Sequence, residues 1–432
     1  MHRLTELIRE DMKPALGVTE PGAIAFAVAS ARAVLGKPAE RVEVALNSGM
    51  YKNAFTCGIP NSDSYGNLYA AALGAVAADE KLGLESLANI TEEDNRRAGE
   101  MVEEGRVKVV LDHIGSEITI DAEVFAGKES CSVHIRGSHT DIRWIEKNGQ
   151  VIEGEKEDKL EDNGQTKSSA EAETAVIHRY SLEDILAYIR SVPEEEILFI
   201  RDAFSMNLEL LEEGLQSDRT TIGPMLFAQN GNRMISADER TTAQLLCNGA
   251  IEARVLGLSR PAMSITGSGA HGIIATMPLF ACYKVHREEV SEEMLLRAAA
   301  FSYLITMYIK EYSGRLSAFC GCGIAAGTGM ACGLAFMKGA DDEQIAMVIQ
   351  NMASGLTGMI CDGGNQGCAM KGVVAVDAAW RSVDMALNGV CIDKIHGING
   401  QTPEDTMRNM GKIASPGMVK TEEVIVEIME NK

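Results

Sequence analysis

VKVVLD (107–112), EITIDAEVFA (117–126), SCSVHIRG (130–137) and DIRWIE (141–146) follow one another with Gly, Asn and Lys breaks between them. Apolar and β-branched residues alternate or run within each segment, the pattern of a small antiparallel sheet. Upstream, RVEVALNSG (41–49) reads as a strand running into a polar loop, and the Ala-rich stretch 68–79 as a buried helix. The opening segment 4–35 has helical spacing, but GVTEPGA (17–23) interrupts it with Pro21 suited to a first turn, which predicts two helices joined by a short turn. Downstream, EGEKEDKLEDNGQTKSSAEAE (153–173) is too charged and too poor in apolar residues to pack, and reads as a solvated loop.

From Ser181 onward the pattern is almost wholly helical. SLEDILAYIRSV opens on an N-cap serine with acidic residues in its first turn, and the helical segments that follow mostly end in Gly. Several are apolar on nearly every side, which places them in the middle of a bundle, with the 22 methionines as core filler. The fold class expected is α+β: a small antiparallel-sheet α/β domain plus a mainly α-helical C-terminal catalytic domain. The expected divisions are an N-terminal helical segment at 1–39 packing on the catalytic domain, an α+β domain at 40–212 and a helical domain at 213–432.

Composition narrows the function. The 432 residues carry 62 Asp+Glu against 40 Lys+Arg, and the net charge of −22 repels phosphate backbones and anionic lipid surfaces. Neither nucleic acid nor a membrane is expected as a partner. Without an apolar leader or a long uncharged apolar run, the chain reads as a cytoplasmic protein. Ten cysteines are too sparse for a disulfide scaffold, so reduced thiols for packing or metal binding are expected. Six of them fall between Cys320 and Cys391.

Three Gly-rich breaks interrupt the buried helices: SITGSGAHGIIATMP (264–278), SGRLSAFCGCGIAAGTG (313–329) and GMICDGGNQGCAMKG (358–372). Buried loops need partners for their free backbone groups and therefore tend to line sites, and glycine lets backbone approach a ligand closely. Cys320, Cys361 and Cys368 lie on two of these breaks at a spacing unlike zinc knuckles or ferredoxins. Two readings stand side by side: three thiolates holding a [4Fe-4S] cluster with one iron open, or three buried small hydrophobes.

ALGVTEPGAIAFA, NSGMYKN, GSGAHGIIATMP, GRLSAFC and ICDGGNQGCAMK resemble the motif set of the L-cysteine desulfidase family, in order, from residue 10 almost to the end. The C-terminal part more distantly resembles the iron-sulfur L-serine dehydratases, whose cluster cysteines map onto Cys320, Cys361 and Cys368. Both groups are oxygen-sensitive [4Fe-4S] lyases acting on small amino acids. One position departs: Val18 stands where the desulfidases have a motif cysteine, and valine neither ligates iron nor moves a proton. The resemblance implies a β-eliminating lyase taking L-cysteine to pyruvate, ammonia and sulfide. A serine-type dehydratase and a non-catalytic amino-acid sensor are the alternatives.

Such a reaction needs donors for a carboxylate, an acceptor for an ammonium and a base for the Cα proton. Ser268 and the GSGAHG backbone suit the carboxylate, and His271 either carries a proton or merely satisfies a helix start. Glu20 suits the ammonium, the base or a capping role. Lys52 is a candidate base, and Asn47 and Asn53 of the same motif are candidate substrate contacts. Asp362, Asn365 and Lys371 flank the thiols, and Arg315 suits a bidentate carboxylate contact or a salt bridge within the bundle. The apolar helical domain suggests a homodimer.

Overall fold

The structure is a computed structural model and is described for residues 1–156, 175–314 and 316–432. Most of the acidic stretch 153–173 and Arg315 lie outside the described residues. The architecture is α+β, as expected. The first elements are α1 (Arg3–Asp11), β1 (Lys13–Leu16), α2 (Thr19–Leu35), β2 (Arg41–Asn47), α3 (Ser48–Ala54), α4 (Gly66–Val76) and α5 (Glu92–Glu103). The strands β3 (Val107–His113), β4 (Thr119–Ala126), β5 (Glu129–Arg136), β6 (Ile142–Lys147) and β7 (Gln150–Gly154) follow. They build one sheet in the order β3-β2-β4-β5-β6-β7. All pairs are antiparallel except β2 with β3, whose parallel pairing the α3–α5 crossover makes possible. Alternation puts Val42, Val44, Leu46, Ile120, Ala122, Val124, Val133 and Ile135 on the buried face. There α2 packs across β4 and β5, and α4 packs on α2.

The rest is helical apart from β8 (Pro261–Ser264): α6 (Leu182–Ser191), α7 (Glu194–Ile197), α8 (Arg201–Gln216), α9 (Ile222–Gln229), α10 (Glu239–Val255), α11 (Gly269–Val285), α12 (Glu292–Ser313), α13 (Gly327–Met337), α14 (Asp342–Leu356), α15 (Gly367–Leu387), α16 (Pro403–Lys412) and α17 (Val419–Glu430). The N-cap at Ser181 forms as expected, its hydroxyl accepting from Asp184 N–H at 3.1 Å. Buried along most of its length, α12 is a central helix of the bundle. Among the described residues no helix is long and apolar enough to cross a membrane.

Two local expectations change. Between α1 and α2 the chain forms β1, which pairs antiparallel with β8, Lys13 opposite Ser264. Pro14 disfavours helix at the residue before it, and the β8 backbone supplies the partner instead. The polar stretch after β2 is a helix, α3, with Asn47 at its N-cap position. The packing also differs from the expected divisions. Ile177, Ile185, Ile189, Phe204 and Leu211, expected with the sheet, lie in the larger helical core, whereas Ile24, Phe26 and Val28 of α2 lie in the sheet core.

Candidate functional site

All three Gly-rich breaks meet at the junction of the two cores. The first leaves β8, turns with Thr266 and Gly267 at positive φ and enters α11 with Ser268 at the N-cap position. A Cβ at Gly272 would stand 1.9 Å from Met263 O, so only glycine lets α11 start this close to β8. The second and third breaks are tied together by backbone, with Cys320 N–H donating to Met359 O at 3.1 Å and Cys361 N–H to Ala318 O at 2.6 Å. After Cys320 the chain takes a π-helical turn, Cys322–Ala326, an irregularity frequent at functional sites. Between the breaks and the start of α2 lies a cavity of about 80 Å³, on the scale of a small molecule rather than a polymer.

One wall carries thiols. Cys322, Cys361 and Cys368 line the cavity and Cys320 is buried behind them. The Cys322 thiol, opposed by burial and helped by Gly323 N–H and Lys371, brings the Cys320 thiol down to about 7. The shared proton and burial push Cys322 well up, and burial pushes Cys368 up to about 11. Cys368 Sγ meets Gly363 O at 3.5 Å and Cys361 Sγ meets Asn53 Oδ1 at 3.8 Å. These are weak thiol bonds, and the soft sulfur donors gathered on two joined loops fit an iron-sulfur cluster. Cys320, Cys361 and Cys368 are thus brought together, and Cys322, left out of the expected ligand set, joins them. Val18 packs on the same loop, its methyls 3.0 and 3.2 Å from where a Cβ at Gly364 would stand.

The facing wall is polar. Asn53 Nδ2 donates to Glu20 Oε1 at 2.9 Å, Thr19 Oγ1 donates to Oε2 at 3.1 Å, and His139 Nε2 stands 3.9 Å from Oε1. Burial would raise the Glu20 carboxyl, but His139, Asn53 and the positive field of Arg254 bring it down to about 2. An ionised carboxylate so placed can accept an ammonium. Arg254, at the end of α10 and 4% exposed, faces the same cavity. It makes no hydrogen bond or ion pair with any described residue, and its Nε is buried without a partner.

His271, in the first turn of α11, lies 2.6 Å through Nδ1 from Thr266 Oγ1, which itself donates to Ile265 O at 2.8 Å. That chain assigns the imidazole proton to Nδ1 and leaves the Nε2 lone pair free. Nε2 points at Gly321, where a Cβ would stand 2.5 Å away. Burial, then Lys310 and Arg254, hold the imidazole well below its usual range, so it stays neutral. Ser268 lines the cavity with a hydroxyl that makes no cap bond.

Four expected site residues lie outside the cavity lining. Lys52 is fully buried and donates to Ser317 O at 3.0 Å, Cys361 O at 2.9 Å and Glu422 Oε2 at 2.8 Å. These bonds tie the two thiol loops together. Asn47 Nδ2 donates to Gly115 O at 2.9 Å and its Oδ1 accepts from Thr119 N–H at 3.2 Å, which fixes a loop beside the sheet. Asn365 accepts from Gly367 N–H at 2.8 Å and donates to Gly363 O at 3.2 Å, shaping the third break. Lys371 pairs with Asp362 and lies beside the thiols, held above its usual range by Cys368 and Asp362 against the pull of burial. None of these four lines the cavity. Arg315 lies outside the described residues. Sequence reasoning missed Arg254, His139 and Thr266. Arg254 ends a helix, where a basic residue ordinarily complements the dipole, so its position carried no signal of function.

The profile of the serine dehydratase alpha chain family matches residues 81–427, which takes in the whole polar wall except Glu20, Thr19 and Asn53, and all four thiols. UPF0597 proteins of Clostridium botulinum strain Langeland and of Caldanaerobacter subterraneus are 39% and 37% identical over 99% of this chain and 98% of their own length. One from Clostridioides difficile strain 630 is 32% identical over 99% of both. A family profile spanning most of the residues that build the cavity, with relatives aligned from end to end, leads to one conclusion: the chain belongs to the serine dehydratase alpha chain family.

Proposed function

We propose that the chain is a [4Fe-4S]-dependent lyase that eliminates the β-substituent of a small L-amino acid, L-cysteine going to pyruvate, ammonia and sulfide. The observation that carries the substrate class is the pair Glu20 and Arg254: two buried opposite charges that face one small cavity without pairing with each other. A zwitterion satisfies both. Cys320, Cys361 and Cys368 would hold the cluster, which when bound supplies a Lewis acid for the β-substituent.

Arg254 and the first-turn amides of α11 hold the carboxylate, and Ser268 adds a hydroxyl. Glu20, oriented by Asn53 and Thr19, holds the ammonium. His271 Nε2 takes the Cα proton, and Thr266 keeps its ring in the accepting tautomer. As the Cα–H electrons form the Cα=Cβ bond, the Cβ–S bond breaks and its pair leaves with sulfur. The aminoacrylate then hydrolyses to a 2-oxo acid and ammonia. L-Serine follows the same route with oxygen leaving. Val18 favours this second reading, because the desulfidase motif thiol is absent.

Anaerobically purified protein is expected to carry about four iron and four sulfide per chain. Cys361→Ser and Cys368→Ser should each lose most of both, and iron unchanged in either variant removes that residue from the ligand set. Because His271 is held well below 6.5, it remains an unprotonated base as pH falls through the usual imidazole range. The acid limb of kcat/KM, which reports the free enzyme, is therefore expected below pH 6.5. A limb at or above 6.5 contradicts the environment of His271 described here.

A further inference from the structure

Roughly 16 Å further along α11 from His271, and apart from the cavity, Glu239, Cys282 and His286 bring a carboxylate, a thiol and an imidazole together. We propose that Glu239 Oε2, Cys282 Sγ and His286 Nε2 bind a divalent ion of the zinc type, with a fourth position open to solvent. The three ligand atoms lie within 4.8 Å of one another. His286 Nε2 is 3.0 Å and Cys282 Sγ 3.5 Å from Glu239 Oε2. Tetrahedral zinc, with bonds of about 2.1 Å to N or O and about 2.3 Å to S, needs separations of roughly 3.4 and 3.6 Å, so the two distances from Glu239 Oε2 need adjust by only a few tenths of an ångström, and the third pair closes to the same range from within 4.8 Å.

The carboxylate is divided in a way that suits this use. Oε1 accepts from Lys338 Nζ at 2.6 Å and Trp380 Nε1 at 2.8 Å, which fixes the group, while Oε2 is turned toward the thiol and the imidazole. Outer partners of this kind orient ligands in metal sites. Cys282 and His286 stand four residues apart at the C-terminal end of α11, so they share a face where the helix dipole favours a cation. The His286 side chain is 40% exposed, which gives the ion an entry path and a water in the fourth position. Binding releases the Cys282 proton to solvent. A bound ion would join the start of α10 to the end of α11 and, through Glu239, to Lys338 at the end of α13.

Cobalt(II) is a spectroscopic stand-in for zinc. It is to be titrated into the anaerobically purified full chain and into Cys282→Ser, His286→Ala and Cys361→Ser, following the near-ultraviolet thiolate-to-cobalt band and the bound metal by dialysis. The wild type and Cys361→Ser are expected to bind one ion with the band. Cys282→Ser should lose the band, and His286→Ala, at a partly exposed position that folding tolerates, should bind at least tenfold more weakly. Zinc should raise the thermal midpoint of the wild type and leave that of His286→Ala unmoved. No band in the wild type, a band that survives Cys282→Ser, or one lost in Cys361→Ser instead overturns the site.

Discussion

Arg254→Met is expected to abolish most turnover of a small amino acid while leaving the protein as stable as before or more so. The guanidinium is buried, faces the cavity and has no partner among the described residues. A buried unpaired charge costs several kcal/mol in the free protein, which a methionine of similar length relieves. In the complex the same group meets a carboxylate in bidentate fashion, and losing one partner of a desolvated charge pair costs about 2–4 kcal/mol, a drop of roughly 30- to 1000-fold in kcat/KM. The carboxylate is held in ground state and transition state alike, so most of the loss should fall on KM. Opposite signs for activity and stability separate a binding group from a structural one. A lower urea midpoint with KM unchanged contradicts the role assigned to Arg254.

The second large effect runs the other way. Lys52→Met removes the partner of buried Glu422, whose Oε1 is already without a hydrogen bond, and releases the carbonyls of Ser317 and Cys361. Breaking a buried pair from one side costs about 3–5 kcal/mol, because the remaining charge is uncompensated. The urea midpoint should fall accordingly, and iron retention should fall with it, since the two loops that carry the thiols lose their staple. In the double variant Lys52→Met with Glu422→Gln, stability should recover in part as the buried charge is removed, while iron retention should not. Full stability and iron in Lys52→Met with turnover lost would instead make Lys52 the base.

What the sequence made legible follows physical range. The sheet could be read because period-two burial is local: Val42, Val44 and Leu46 alternate with Glu43 and Ala45 within one strand. The four-residue β1 could not, since KPAL has no strand signal and its partner β8 lies some 250 residues away. The thiol wall was accessible because cysteine and glycine mark it in the chain. The polar wall was half visible: Glu20 and His271 sit in short polar motifs, whereas Arg254 resembles any basic residue closing a helix. The bonding of Lys52 was hidden for the same reason, because Glu422, which engages it, is 370 residues distant. Composition carried no sign of this cavity, where local charges of both signs outweigh the net −22.

The most direct test is to incubate the anaerobically reconstituted protein, with its iron and sulfide content verified, with L-serine and with L-cysteine, and to measure pyruvate and ammonia, and sulfide for cysteine. Equimolar pyruvate and ammonia from at least one substrate, lost in Arg254→Met and His271→Gln, is the expected result. An iron-loaded protein that releases neither product from either substrate contradicts the lyase assignment.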